Sequence, residues 1–458
     1  MWSEANHIPN ILKLKVKYPH VKVGAVCDTL DPYVQELEHN NLKKLLHIDR
    51  STWVKAQNNV EAPVDQLDAL HHQDAFDVVV IACNPTAHYE YAMWAITRGV
   101  HVICDKPLIA TKYASWNVEA AKDIFKKYTE LRTAFKVALA KNPLLSFNLV
   151  LRRRSLEPFR LIADRLHEVQ EGYGAGINHM NIISNSGVYK YPVEMASGSG
   201  AHDFTSGVGA LSHSSYHYID LMNWYLAAAP GDVAYIIPKL IKVTRVQDYL
   251  DANLYKSLMS INNHAPEKEE HPLTRSVRAA ELDFAFNIGF YNSQGRLIGD
   301  ANFISNHLSF SPRTRRSEKS VSNPAQYEDG GRTSHLYIDI HQSGLQNLQL
   351  LKNDRAFGQS NIRVELRSHP NLAYKERESL YYGNAYNRVE YSLGDLFEEI
   401  VVSIGENRPV KNDMIPSILD DELNNRLFSK FYELIAKNYS TKQAQTSDDD
   451  IISLNQYF

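Results

Sequence analysis

The sequence has few cysteines, no excess of basic residues and no long apolar run. Its three cysteines each end an apolar stretch, without the spacing of a disulfide framework or a metal site, so we expect reduced thiols in a cytoplasmic protein. The 49 basic and 53 acidic residues give a net charge of −4, which argues against a nucleic-acid partner. No apolar run approaches the roughly 20 residues that span a bilayer, and Met1 precedes a polar segment unlike a signal peptide. We therefore expect no membrane partner.

The first 140 residues alternate between strand and helix patterns. Apolar runs at 21–28, 77–83 and 100–104 have the continuous character of strands buried on both faces. A helical stretch from His88 to Arg98 precedes Gly99, and glycine readily adopts the left-handed conformation common just after a helix. Strand, helix and strand in this order predict parallel βαβ units, and thus an α/β fold with a Rossmann-like doubly wound sheet.

Asp28 ends the first of these strands. In a doubly wound nucleotide-binding fold, a carboxylate at this place accepts hydrogen bonds from the adenosine ribose hydroxyls. No lysine or arginine occurs in 29–34 to hold a 2′-phosphate, so NAD is favoured over NADP. An acid after a strand is also common as a turn or helix cap, so Asp28 indicates a cofactor site only together with the motifs that follow.

The segment 77–111 contains two such motifs, a Pro-x-x-His segment at 85–88 and Asp-Lys-Pro at 105–107. It resembles the Gfo/Idh/MocA family of sugar and inositol oxidoreductases, in which the second motif is Glu-Lys-Pro. The resemblance implies that Lys106 lies beside the nicotinamide and the substrate hydroxyl. The cofactor-binding residues that it implies are Asp28, Asn84, Pro85, His88, Asp105 and Lys106.

A second segment, 207–226, resembles the part of the family's second domain in which a glycine-rich turn leads into a helix. His217 and Asp220 match the last two places of the motif Asp-x-Gly-x-His-x-x-Asp, while His213 stands where the family has its acid. By resemblance His217 is the general base, with His213 and Asp220 beside it. On a helix these three positions share one face. A histidine pair four residues apart could instead bind a metal, but no third ligand is evident and we expect none.

The rest of the chain predicts a mostly antiparallel sheet. Apolar or alternating stretches occur at 281–291, 297–304, 335–342, 345–351 and 362–367. They resemble the open sheet of the family's second domain, whose exposed face pairs with another subunit, and so imply a homo-oligomer. Residues 393–404 and a helix from about 416 to 437 resemble the closing segment. We expect surface loops at 262–275 and 311–334, and a solvated charge cluster at 152–154 that could also reach a ligand.

These patterns divide the 458 residues into two domains and a tail. Residues 1–145 are predicted to form the NAD(P)-binding Rossmann-like domain, and 146–440 a substrate-binding and oligomerisation α+β domain. Residues 441–458 are predicted to be a mobile acidic tail.

The start of the sequence departs from the family. A doubly wound domain begins with a strand and a glycine-rich turn that holds the pyrophosphate, and neither is found before the segment that resembles the first helix. Counting back places those glycines at or before Met1. We therefore expect a start codon placed too late or a shortened version of the chain, or else a chain that has lost cofactor binding.

The leading hypothesis is an NAD(P)-dependent dehydrogenase that transfers hydride between the nicotinamide and a secondary hydroxyl of a sugar or inositol-like polyol. Lys106 holds the reacting oxygen and His217 takes its proton in this hypothesis. One alternative is a non-catalytic sensor or repressor subunit with the same fold, which the altered position 213 and the missing glycine turn favour. The other is an NAD-assisted glycosidase, which the family also contains.

Overall fold

The computed structural model describes residues 7–29, 49, 51–56, 62–187, 195, 204–251, 274–307, 335–353, 361–383, 392–411, 414–440 and 452–453. The predicted loops and tail lie almost wholly outside these ranges. The chain forms two compact units that interleave along the sequence. The first comprises 1–110, 124–155 and 391–425, and the second comprises 111–123, 156–390 and 426–458. The domain limits given above stay a prediction.

The structure has α-helices and β-strands in both units. The helices are α1 (His7–Lys17), α2 (Val64–Gln73), α3 (His88–Thr97), α4 (Val118–Lys141), α5 (Glu157–Tyr173), α6 (Tyr216–Ala228), α7 (Val246–Asp251), α8 (Arg275–Ala279), α9 (Leu393–Gly405) and α10 (Glu422–Ser440). The strands are β1 (Ala25–Asp28), β2 (Thr52–Lys55), β3 (Val78–Ile81), β4 (His101–Asp105), β5 (Phe147–Val150), β6 (Ile177–Asn185), β7 (Tyr235–Arg245), β8 (Glu281–Tyr291), β9 (Leu297–Asn306), β10 (His335–Gln342), β11 (Gln346–Asn353), β12 (Asn361–Ser368), β13 (Arg377–Gly383) and β14 (Ile452–Ser453). Within the described residues, no helix is both long and apolar enough to cross a bilayer.

The first unit contains two parallel sheets. One pairs β1 with β2, and the other has the order β3-β4-β5. The predicted strand–helix–strand unit is confirmed, with α3 between β3 and β4 and Gly99 at a φ of 71°. Strand β4 pairs on both edges and is buried up to its last residue. Among the described residues, β1 and β3 each pair on one edge only and are mainly half-buried.

An apolar cluster joins the first and last parts of this unit. Leu14 of α1 packs with Ile103 of β4 and with Leu396 and Ile400 of α9. The side chains of Lys17 and Glu398 form an ion pair at the edge of the same contact. The segment 391–425 is thus part of the parallel-sheet unit, because the apolar face of α9 covers the sheet there.

The second unit is built on a large sheet with the order β13-β12-β11-β10-β6-β9-β8-β7-β14. All neighbours are antiparallel except β6 and β9, which are parallel, so the predicted fold class is confirmed. One face packs against helices, where the Phe431 ring of α10 stacks on Phe286 of β8 at 3.9 Å between centroids. The half-buried positions of the other face form side-chain ladders, such as Asn302 to Asn181 at 3.0 Å.

The helix predicted through positions 213–220 needs a correction. Residues Leu211–Ser215 form a π turn, and the α-helix α6 begins only at Tyr216. A π turn has a wider hydrogen-bond spacing than an α-helix, so His213 departs from the predicted α-helical spacing, while His217 and Asp220 keep it within α6.

Candidate functional site

The predicted cofactor residues of the first unit lie at the carboxyl ends of its parallel strands. Asp28 ends β1 with an exposed side chain, and half-buried Asn84 follows β3. Lys106 follows directly after β4, which pairs in parallel with β3 from Val78↔His101 to Ile81↔Cys104. Because neighbouring parallel strands end at one edge, Asn84 and Lys106 belong to the same edge of the sheet, where ligands bind in such folds.

Asn84 and Pro85 shape the turn that leads into α3. The Asn84 side-chain oxygen accepts from the backbone N–H and the hydroxyl of Thr86, at 3.1 and 2.9 Å. The Pro85 carbonyl accepts from Ala110 N at 3.3 Å, which links this turn to the loop after β4. Both residues therefore fix the backbone of the edge.

His88 is completely buried between the same two loops. Its Nδ1 lies 2.9 Å from the carbonyl oxygen of Pro107, and its Nε2 lies 3.2 Å from that of Cys83. Burial lowers the pKa of His88, which favours a neutral ring that donates to one of these carbonyls. The ring therefore ties the Pro-x-x-His segment to the loop that contains Lys106.

Asp105 is held from the opposite side by α1. Its two carboxylate oxygens lie 3.1 and 3.0 Å from Nε2 of His7, which is buried and meets the Phe397 ring edge-on. Sequence reasoning did not find this partner, because the two residues are 98 positions apart. His7 holds the residue before Lys106 and His88 the residue after it, so the backbone of Lys106 is fixed on both sides.

The second unit contains the other predicted residues. Gly207, at a φ of 74°, donates its N–H to the Phe204 carbonyl at 2.9 Å. The next residues of this turn lead into the π turn, where the N–H of His213 donates to the Gly209 carbonyl at 3.1 Å. The ring of His213 is buried and stacks on Phe204, with centroids 5.4 Å apart and an interplanar angle of 6°.

Helix α6 carries the remaining two residues. His217 lies in its first turn and is half-buried, and Asp220 is completely buried one turn later. The serines just before this helix anchor it to the sheet: Ser214 lies 3.1 Å from Nε2 of His307, and Ser215 lies 3.2 Å from the Ser305 hydroxyl. His217 is thus the more accessible of the two histidines.

The part of the chain that the structure describes contains no cluster of side chains that could bind the metal ion considered above. No group of three or more His, Cys, Asp or Glu side chains is placed there to hold an ion.

Position 209 requires a glycine because its backbone lies very close to the backbone of β8. A Cβ added at this position would lie 2.0 Å from the backbone carbonyl oxygen of Glu281. Gly209→Ala is expected to lower the free energy of unfolding by about 1–3 kcal/mol, since one strand or the turn must move. Denaturant unfolding would measure it. Gly172→Ala on α5 is the matched control, because its added Cβ meets nothing within 4 Å. Equal unfolding midpoints for the two variants would contradict the close approach.

Comparisons with known proteins agree with this two-part architecture. Residues 23–138 match the model of the Gfo/Idh/MocA family, described as "Oxidoreductase family, NAD-binding Rossmann fold". A search of curated proteins finds no match to the sequence.

Three similar solved structures illustrate the fold over the whole chain. The WlbA dehydrogenase from Chromobacterium violaceum, in complex with NADH and UDP-GlcNAcA, is 13% identical with a TM-score of 0.55, covering 100% of this chain and 94% of that one. Levoglucosan dehydrogenase with NADH and levoglucosan is 13% identical, with a TM-score of 0.52 and coverage of 100% and 97%. The super-repressor mutant of Gal80p from Saccharomyces cerevisiae is 14% identical, with a TM-score of 0.53 and coverage of 98% and 96%.

At such identities these structures show the fold alone. The family resemblance depends on the match at 23–138, which includes strands β3 and β4 and the Asp-Lys-Pro motif at 105–107. The resemblance predicted from the sequence is therefore confirmed: residues 23–138 match the model of the Gfo/Idh/MocA oxidoreductase family, whose Rossmann fold is of the NAD-binding type.

Proposed function

We propose that this protein is an NAD-dependent dehydrogenase that oxidises a secondary hydroxyl of a sugar or inositol-like polyol. The observation that carries the proposal is the fixed position of Lys106 at the carboxyl end of β4, in a Rossmann region of an NAD-binding family. An ammonium group at this edge can hold a substrate oxygen and favour its alkoxide character as hydride leaves.

The residues present fit the two ends of a dinucleotide. The exposed carboxylate of Asp28 ends a strand as required for the adenosine ribose hydroxyls, with no nearby cation in 29–34 for a 2′-phosphate. Lys106 suits the nicotinamide end. Between them, the described residues offer no glycine-rich turn at the half-buried edges of β1 and β3, where a pyrophosphate would need amide donors.

The proposed reaction divides its tasks between Lys106 and a base. Bound NAD would supply the hydride acceptor. Lys106 holds the substrate oxygen, and half-buried His217 takes the hydroxyl proton, a role suited to a side chain that titrates near neutrality. Buried Asp220 and His213 help to fix the helix that carries this base.

Similar structures support the proposed substrate class, and the open sheet face supports the proposed assembly. Among the similar structures, one holds levoglucosan and another UDP-GlcNAcA, which favours a sugar or a related polyol. The face of side-chain ladders, including Asn287 to Asp300 at 2.9 Å, is rich in hydrogen-bonding groups. It is the surface we propose for a homo-oligomer, and the free cysteines agree with a cytoplasmic location.

A non-catalytic sensor or repressor is the second candidate. The described residues supply no row of amides for a pyrophosphate between β1 and β3, which favours this candidate because NAD binds weakly without such donors. The fold similarity to Gal80p agrees with this alternative.

Absorbance of reduced nicotinamide, followed with the purified chain, NAD+ and a panel of sugars and inositols, tests the proposal. Substrate-dependent formation of NADH supports the dehydrogenase. Saturable NAD binding with no turnover on any member favours the sensor and contradicts the proposal. Release of free sugar from a glycoside, with no net change in reduced cofactor, would assign the chain to the glycosidases.

A further inference from the structure

Glu281 is a completely buried carboxylate at the first position of β8. Its Oε1 accepts the N–H groups of Gly209 and Leu211, at 3.0 and 3.1 Å, and the hydroxyl of Tyr432 at 2.9 Å. Its Oε2 accepts the hydroxyl of Ser115 at 2.5 Å. Four donors from three separate parts of the second unit therefore converge on one side chain.

The charge of this carboxylate is compensated within the same cluster. Burial raises the pKa of Glu281, while the four donors stabilise its ionised form. The buried guanidinium of Arg245 interacts electrostatically with it and donates to the carbonyls of Ser115 and Ala279, at 2.9 and 2.6 Å. An ionised carboxylate uses all four donors, whereas a protonated one would bring a donor of its own to the site.

The two backbone amides are those that open the π turn. Leu211 is its first residue, and Gly209 accepts the N–H of His213. Amides at the start of a helical segment have no partner within that segment, and a negative charge placed there stabilises it. Here the charge comes from a strand about 70 positions away, so it also fixes where the segment stands on the sheet.

We propose that Glu281 is a positioning residue: it clamps the start of the segment 211–220 so that His217 is presented to substrate. This inference rests on the proposed role of His217. The bond pattern gives a specific expectation, because a single Glu281 oxygen accepts the N–H groups of both Gly209 and Leu211. Ser115 holds the other carboxylate oxygen, and Tyr432 hydrogen-bonds both the carboxylate and the Gly209 backbone.

Hydrogen–deuterium exchange on the full chain tests the clamp without any substrate. Glu281→Gln keeps the size but removes the charge, and we expect amides in 207–215 to exchange at least about tenfold faster. Exchange in β10 and β11 should stay unchanged. Ser115→Ala is the matched control, since it removes the donor to Oε2 and leaves both amide bonds to Oε1 in place. Equal protection of 207–215 in wild type and Glu281→Gln would overturn the proposal. A uniform rise in every peptide would also overturn it, since that means a loss of global stability only.

Kinetics give the functional readout. With a substrate established, Glu281→Gln should lower kcat at least about tenfold with the KM for NAD nearly unchanged, and should displace the pH profile of oxidation. An unchanged kcat and profile would overturn the functional part of the proposal. If wild type itself shows no turnover, the proposed function fails while the exchange result still decides on the clamp. Should Glu281→Gln not fold, Glu281→Asp retains the charge and withdraws it by one methylene, and the same local rise in exchange is expected.

Discussion

Replacing Lys106 by alanine is expected to lower the rate of hydride transfer by about 100-fold or more, which corresponds to about 3 kcal/mol of lost transition-state stabilisation. The ammonium group is the cation that we propose for the substrate oxygen, and its backbone is held on both sides through His7 and His88. Single-turnover kinetics with saturating NAD+ and an established substrate would measure the change.

The fold should survive this substitution, because the Lys106 side chain is only half-buried. Lys141→Ala, at the exposed end of α4, is the matched control and should leave the rate within about twofold of wild type. A loss of less than about threefold in Lys106→Ala would remove this residue from the mechanism.

Replacing His217 by asparagine is expected to lower oxidation by a factor of about 10² to 10⁴ and to flatten its dependence on pH. In wild type the rate should fall as pH drops through the titration of the base, because the protonated imidazole cannot accept the hydroxyl proton. The pH profile of kcat over KM in the two proteins is the measurement.

His72→Asn, at an exposed position in the last turn of α2, provides the control and should retain the wild-type profile. A similar profile in wild type and His217→Asn would assign the proton transfer to another group, with His213 and Asp220 the next candidates. His213→Asp restores the acid of the family pattern and should then preserve or raise activity.

The sequence predicted the elements that depend on local patterns. Strands β8 and β10 have the predicted bounds because their apolar residues face a helix-covered side of the sheet and recur with strand period. The Asp-Lys-Pro motif was found at the end of β4 because both its strand and its motif are contiguous in sequence. Strand β7 was not predicted, and it contains Pro238, a residue that disfavours the interior of a sheet.

Features set by long-range contacts could not be predicted. The π turn at 211–215 depends on contacts of Gly209 and Leu211 with Glu281, which begins a strand in another part of the chain. In the sequence, these contacts are indicated only by an acidic residue at the start of an apolar strand. Such a residue by itself indicates an exposed strand end. The bond between His7 and Asp105 likewise joins residues that no local pattern relates.

The central claim is that this chain binds NAD through the carboxyl edge of its parallel sheets, and calorimetric titration of NAD+ into the 458-residue protein tests it most directly. We expect one saturable site that Asp28→Ala abolishes, with a dissociation constant well above the micromolar range because the described residues offer the pyrophosphate no row of amides. A version with an added N-terminal strand and glycine-rich turn should bind about two orders of magnitude more tightly, since each amide donor to a charged group contributes roughly 1.5–3 kcal/mol. Tight binding by the 458-residue protein would show that another segment holds the phosphates. The absence of binding in both versions would contradict the claim.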